Sequence, residues 1–237
     1  MKNLQMSLIR RIGLKFKKTF WSIKSSKLHF ILNERCGSKS TQNWFELQNE
    51  PYDEHDVMYV SDEIITKKPL CVIRNPIERW RSGLKHRLGK ILIHRREGIR
   101  GEADYLWDEK SIYEGQVDLF INASKFYNWN RDIFLLDNLL RFDFNFIKLS
   151  SLSEVIDNPP KNSGTSTFKS FLKYCEDEEN RLPNIVFDFI NDLCDLSNFD
   201  LEEIKKMYSK YPIFFNESIL DIFRNEMETW LSYKGKL

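Results

Sequence analysis

The sequence is poor in glycine and proline and has no long apolar run. Its 237 residues include 9 Gly and 7 Pro, too few for a collagen-like or low-complexity chain. No apolar stretch approaches the roughly 20 residues that a helix needs to cross a bilayer. Residues 1–21 lack the continuous apolar core of a secretory signal. With 41% hydrophobic and 30% charged residues, the composition predicts a soluble globular protein with a proper core.

Cysteines are few and lack the spacing of a metal or redox site. Cys36, Cys71, Cys175 and Cys194 form no CxxC pair and no metal-ligand pattern. Cys71 lies in an apolar run, where cysteine behaves as a small hydrophobe. No metal is therefore expected, and the cysteine usage predicts a reduced, cytoplasmic setting.

Positive and negative charges nearly cancel over the whole chain, but basic residues are concentrated in two segments. The net charge is +1, yet residues 2–27 hold eight Lys and Arg and no acid, and residues 74–100 hold nine against two acids. Two interpretations stay open for the first segment: a solvated basic lead-in, or a basic amphipathic helix in peripheral contact with an anionic membrane. The predicted organisation is a basic N-terminal segment, 1–27, followed by a single domain, 28–237.

Short apolar runs alternate with helical patterns along the chain. Strands are predicted at 27–32, 55–60, 69–76 and 144–149, and helices at 38–50, 77–96, 117–126, 132–140 and several times in 168–233. Strands separated by helical segments indicate βαβ units. The predicted class is α/β, with a mostly parallel sheet covered by helices on both faces and a helical C-terminal part.

A turn of small residues follows the first predicted strand and precedes a helix. Such a helix start offers unpaired N–H groups and the positive end of the helix dipole to an anion. The segment ERCGSKST supplies a glycine for close backbone approach, three hydroxyls and two cations: Gly37, Ser38, Ser40, Thr41, Arg35 and Lys39. It therefore predicts a phosphate cradle.

A Walker A loop is the obvious alternative for this segment. That motif requires glycine immediately before the lysine and again five residues earlier. Those positions are Ser38 and Asn33 here. An ATPase or GTPase is disfavoured for this reason, although a P-loop kinase with a degenerate Walker A stays open.

The segment CVIRNPIERWRS forms a second constellation. Its apolar strand delivers Arg74 at the carboxyl end, where open α/β sheets bind ligands. Asn75 and Pro76 are typical of a helix start, as N-cap and first helical residue. Ser82 follows about two helical turns later, so that an arginine and a hydroxyl can hold one phosphate together.

Together the two segments resemble the motifs of sulfotransferases that use 3′-phosphoadenosine-5′-phosphosulfate (PAPS), carbohydrate sulfotransferases in particular. The second matches at Arg74, Asn75, Pro76, Arg79 and Ser82. The first matches at its glycine and first hydroxyl, while Arg35 stands at the family's lysine and Glu34 at its proline. The resemblance implies a three-layer P-loop-like fold in which PAPS is bound, and 3′,5′-diphosphoadenosine released, at Arg35, Cys36, Gly37, Ser38, Lys39, Ser40, Thr41, Arg74 and Ser82.

The resemblance also implies a chemistry. Arg35 and Lys39 would stabilise the leaving phosphate, and Arg74 with Ser82 would bind the 3′-phosphate. Transfer to an acceptor hydroxyl or amine needs a base, for which His55 is the first candidate, with the flanking Glu54 and Asp56, and Glu63, as alternatives.

The acceptor is predicted to be a small molecule or, more specifically, a glycan. A non-enzymatic alternative stays open, in which an inactive relative binds a nucleotide or an acidic glycan through residues 74–100. Nucleic-acid binding is not expected, because this basic stretch carries only Trp80 as an aromatic platform.

Overall fold

The structure is a computed structural model. It describes residues 20–24, 28–32, 35–48, 53–57, 69–97, 120–121, 124–125, 136–140, 144–157, 172–173, 175–176 and 182–234. The chain divides into two compact units. The first comprises Met1–Arg74, Asp132–Asn162 and Thr229–Leu237, and the second comprises Asn75–Arg131 and Ser163–Glu228.

Within the described residues of the first unit, five strands form one sheet. They are β1 (Phe20–Lys24), β2 (His29–Leu32), β3 (Asp53–Val57), β4 (Leu70–Ile73) and β5 (Asn145–Lys148). The spatial order is β3-β1-β2-β4-β5. Neighbouring strands β2, β4 and β5 are parallel, whereas β1 is antiparallel to β2 and β3.

Most of the regular structure is helical. The helices are α1 (Ser38–Gln48), α2 (Pro76–Glu97), α3 (Leu136–Leu139), α4 (Asn184–Asp195), α5 (Leu201–Lys210) and α6 (Ile219–Lys234), with 3-10 helices at Leu149–Glu154 and Pro212–Phe214. The mixed α/β class is thus confirmed. Strands β2, β4 and β5 form the small open parallel part of the sheet, and the structure is mostly helical. Of the helices described, none is both long and apolar enough to cross a membrane.

The first strand, β1, lies where no strand was predicted. Basic residues dominate its surroundings and hide the short pattern FWSIK. Its position between β2 and β3 gives it ladder hydrogen bonds on both sides, which local propensity does not register. Residues 1–19 lie outside the described part of the chain, so the membrane-contact interpretation and the boundary between 1–27 and 28–237 stay predictions.

One face of the sheet packs against α1. Strand alternation puts Ile23, Phe30 and Val72 on this face, and all of them are buried around Phe45 of α1. The rings of Phe30 and Phe45 meet edge to face, with centroids 6.2 Å apart. Trp44 also anchors α1 to residue 157, because its Nε1 donates to the carbonyl of Asp157 at 2.9 Å. These contacts fix the start of α1 beside the carboxyl end of β2.

The opposite face is buried as well. Ile31, Cys71 and Ile73 are at most 1% exposed, as expected for strands covered on both sides. Phe146 of β5 meets the ring of Tyr233, near the end of α6, with centroids 5.7 Å apart.

Burial raises the pKa of the Cys71 thiol well above its ordinary value. Burial, and then the nearby Cys71, raise the pKa of Tyr233.

These two groups predict a loss of stability at alkaline pH. The ordinary pKa values are 9.0 for Cys71 and 10.0 for Tyr233, so the unfolded chain releases protons that the folded chain retains. Each such proton lowers the free energy of unfolding by about 1.4 kcal/mol per pH unit above the unfolded pKa. We expect the melting temperature to fall progressively above pH 9, and to fall less steeply in Cys71→Ala and in Tyr233→Phe. Parallel curves for wild type and both variants between pH 7.5 and 10.5 would contradict this.

The second unit is a helical assembly with an aromatic core. Phe189 of α4 stacks on Phe214 with centroids 4.2 Å apart, and Trp80 of α2 stacks on Phe215 at 5.8 Å. The predicted helices at 77–96 and in 168–233 are confirmed as α2 and as α4, α5 and α6.

Candidate functional site

The loop after β2 forms a turn whose backbone is left-handed at two positions. The φ angle is 63° at Arg35 and 81° at Gly37. Helix α1 begins immediately afterwards, and the carbonyl of Gly37 accepts from the N–H of Thr41 at 2.9 Å. Gly37 is therefore the residue that caps α1. The N–H groups of the first helical turn have no partner within the helix, as a phosphate cradle requires.

Gly37 is favoured by its backbone conformation and lies close to two leucine side chains. A Cβ atom there would lie 2.6 Å from Cδ1 of Leu149, and its φ lies in the region that side chains rarely adopt. Leu149 and Leu152 belong to the 3-10 helix that follows β5. The sequence motif indicates the glycine, but not the leucines against which it packs.

The cradle side chains divide into core and surface. Cys36 is 1% exposed and part of the core, so only its backbone is available to a ligand. Ser38 and Ser40 are half-buried. Thr41 is fully buried and its hydroxyl donates to the carbonyl of Gly37 at 3.1 Å. Its proton therefore holds the turn, and the assignment of Thr41 to the cofactor stays a prediction. The side chain of Lys39 lies outside the described part.

Arg74 joins the second motif to the first. Strands β2 and β4 are parallel neighbours, with Ile31 opposite Cys71, so the residues that follow them meet at one edge of the sheet. There Nη1 of Arg74 donates to the carbonyl of Arg35 at 3.2 Å. The structure thus brings together the two arginines that the two motifs contribute.

This edge of the sheet favours an anion. Arg35 and Arg74 each carry a permanent charge, and both are half-buried. The first turn of α1 contains no acidic side chain, so no carboxylate of its own neutralises the positive end of its dipole. A phosphate at this edge could accept hydrogen bonds from the N–H groups at the start of α1.

The start of α2 confirms the predicted N-cap. Oδ1 of Asn75 accepts from the N–H groups of Ile77 at 2.9 Å and Glu78 at 3.2 Å, and Pro76 is the first residue of the helix. Ser82 is half-buried on this helix. Its assignment to the 3′-phosphate stays a prediction that rests on the sequence motif.

Part of the basic charge of α2 has a structural role. Arg81 donates to the carbonyls of Cys194 and Leu196 at the carboxyl end of α4, where a cation is favourable. Burial raises the pKa of the Cys194 thiol, and the nearby cations Lys85 and Arg81 offset part of that rise. These two cations serve helix packing, so the basic stretch 74–100 is not simply a ligand-binding surface.

His55 lies away from the cradle along the backbone. It pairs with Ser22, which also pairs with Ile31, so His55 is level with the middle of β2. At about 4.8 Å per strand spacing, β3 lies roughly 10 Å from β2, with β1 between them. The backbone of His55 is thus not brought together with Arg35 and Arg74, and its role as the base stays a prediction. The same holds for Glu54 and Asp56 on this strand, while Glu63 lies outside the described residues.

Comparisons with known proteins found no matching family model, and no significant match among curated proteins or solved structures. Among the residues that the structure describes, no group of three or more His, Cys, Asp and Glu side chains is arranged to hold a metal ion.

Proposed function

We propose that this chain binds PAPS and transfers its sulfuryl group to an acceptor hydroxyl or amine, with a carbohydrate as the acceptor class. The observation that carries the proposal is the hydrogen bond from Arg74 to the carbonyl of Arg35, 3.2 Å long. It links two phosphate-type motifs that are 39 residues apart and lie in the order of the sulfotransferase pattern. We also propose that the fold is a three-layer P-loop-like domain.

Each part of the cofactor has a proposed partner. The N–H groups after Gly37, with Ser38 and Ser40, bind the 5′-phosphosulfate through the start of α1. Arg74, with Ser82 by resemblance, binds the 3′-phosphate, the group that distinguishes PAPS from ordinary adenine nucleotides.

The proposed reaction needs three things from the protein: positioning of the reactants, a base, and cations that stabilise the leaving phosphate. The acceptor oxygen or nitrogen attacks sulfur, the bond between sulfur and the 5′-phosphate oxygen breaks, and the acceptor proton passes to a base, with His55 as first candidate. Negative charge builds on the leaving phosphate, where Arg35 and Lys39 stabilise it. Arg35 holds a phosphate well but donates a proton poorly. The proposal therefore predicts firm cofactor binding and leaves Lys39 as the better proton donor.

A thermal-shift experiment tests the cofactor class. A ligand at 100 times its dissociation constant stabilises a protein by about 2.7 kcal/mol, which for a chain of this size raises the melting temperature by roughly 5–10 °C. We expect that shift with 3′,5′-diphosphoadenosine, and a much smaller one with ADP or with ATP and Mg²⁺.

The charge-matched control is 2′,5′-diphosphoadenosine, which carries the same phosphates with one of them moved. Equal stabilisation by both isomers would indicate binding of any polyanion. A larger shift with ATP and Mg²⁺ would favour the degenerate P-loop kinase. Stabilisation by the 3′,5′ isomer without sulfate transfer from PAPS to hydroxyl, amine or glycan acceptors would identify an inactive nucleotide-binding relative.

A further inference from the structure

A single carboxylate organises the loop that connects α4 to α5. Oε1 of Glu203 accepts from the N–H of Ser197 at 3.3 Å, and Oε2 accepts from the N–H groups of Asn198 and Phe199, both at 3.1 Å. Asp200 caps α5 by accepting from the N–H of Glu203 at 2.9 Å. Residues 197–200 are therefore held in one conformation by bonds to α5.

This loop in turn contacts the start of α2. Phe199 has a left-handed φ of 50°, and its carbonyl accepts from Nδ2 of Asn75 at 3.1 Å. The guanidinium carbon of Arg81 lies 4.7 Å from the centre of the Phe199 ring, within the range of a cation–π contact. One side chain of α2, that of Arg81, and the N-cap residue Asn75 are thus both attached to Phe199.

Asn75 is suited to this contact in a way that aspartate is not. Its Oδ1 caps α2, and its Nδ2 donates to Phe199. Aspartate would cap equally well but has no donor for a carbonyl. The choice of asparagine therefore serves the loop contact and not the helix start alone.

We infer that Glu203 is a positioning residue for the first turns of α2: it holds Phe199 so that the Phe199 carbonyl fixes Asn75 and the helix that Asn75 caps. Glu203 acts through the loop and not on a ligand. The consequence for nucleotide selectivity rests on the proposed function, because α2 carries Ser82, which the sulfotransferase resemblance assigns to the 3′-phosphate.

Hydrogen exchange tests the inference without any ligand. In Glu203→Gln one of the two acceptor oxygens becomes an NH₂ that opposes backbone N–H groups, so the side chain can no longer accept from all three amides of residues 197–199. We expect those amides, and those of Ile77 and Glu78, to exchange about tenfold faster. The matched control is Glu202→Gln, which removes the same charge from the same turn at a residue paired with Lys205 on the surface. Faster exchange at 197–199 with unchanged exchange at Ile77 and Glu78 would overturn the inference.

Nucleotide selectivity provides the second readout. We expect Glu203→Gln and Asn75→Asp each to lower the preference for 3′,5′-diphosphoadenosine over AMP about fivefold, while Glu202→Gln leaves it unchanged. A merely structural role would lower the melting temperature of Glu203→Gln and leave the preference intact, which would contradict positioning. If wild-type protein shows no such preference, the proposed function fails, and the exchange at Ile77 and Glu78 decides the inference by itself.

Discussion

Replacing Gly37 with alanine is expected to destabilise the protein by about 1–3 kcal/mol and to abolish tight nucleotide binding. The left-handed φ of 81° costs an alanine about 1–2 kcal/mol. The new Cβ would lie 2.6 Å from Cδ1 of Leu149, the end of a flexible, half-buried side chain that can move aside, so this contact adds at most about 1 kcal/mol. Either adjustment rotates the N–H groups at the start of α1, which bind the phosphate in the proposed site. Thermal denaturation and calorimetric titration with 3′,5′-diphosphoadenosine measure the two effects.

Two further variants separate the causes. Gly37→Asn introduces the same Cβ but suits a left-handed backbone better, so it should recover the part of the loss that is due to φ. The double variant Gly37→Ala with Leu149→Ala removes the steric contact. Relative to Leu149→Ala alone, it should therefore lose only the stability that is due to φ. If Gly37→Ala binds nucleotide like wild type, the turn at 35–37 is not the cradle.

The sequence predicts the turn and the strands and helices on either side of it well, because these depend on local chemistry. The small residues after the apolar run at 27–32 indicate a strand, a turn and a helix start. Asn75 and Pro76 similarly predict where α2 begins. Each signal concerns residues that are close together in the chain, and the structure has β2, α1, β4 and α2 within a few residues of the predicted bounds.

Contacts between distant segments leave no comparable pattern in the sequence. The packing of Gly37 against Leu149 depends on how β5 pairs with β4, and strand register is a tertiary property. The sequence likewise does not reveal that the Thr41 side chain is buried and that its hydroxyl donates to the carbonyl of Gly37. Similarly, the sequence shows Arg81 only as one of the basic residues in 74–100. In the structure its side chain hydrogen-bonds the carboxyl end of α4.

Arg74→Ala is expected to weaken binding of 3′,5′-diphosphoadenosine about 100-fold and binding of AMP less than about threefold. Loss of a charge-assisted, two-point contact to a phosphate costs about 2–3 kcal/mol, and AMP lacks the phosphate in question. Calorimetric titration of both nucleotides measures the two constants. Ser82→Ala should show the same selectivity at a smaller magnitude, since it removes a neutral hydrogen bond.

The comparison between the two nucleotides also separates the two ways in which Arg74 can act. Arg74 donates to the carbonyl of Arg35, so its loss can loosen the turn as well as remove a phosphate contact. A loosened turn affects the 5′-phosphate, which AMP and 3′,5′-diphosphoadenosine share, and weakens both equally. Arg74→Lys keeps the charge but not the forked geometry, and should fall between wild type and alanine for 3′,5′-diphosphoadenosine alone. Equal losses for both nucleotides would assign Arg74 to the turn and remove the main support for a 3′-phosphate site.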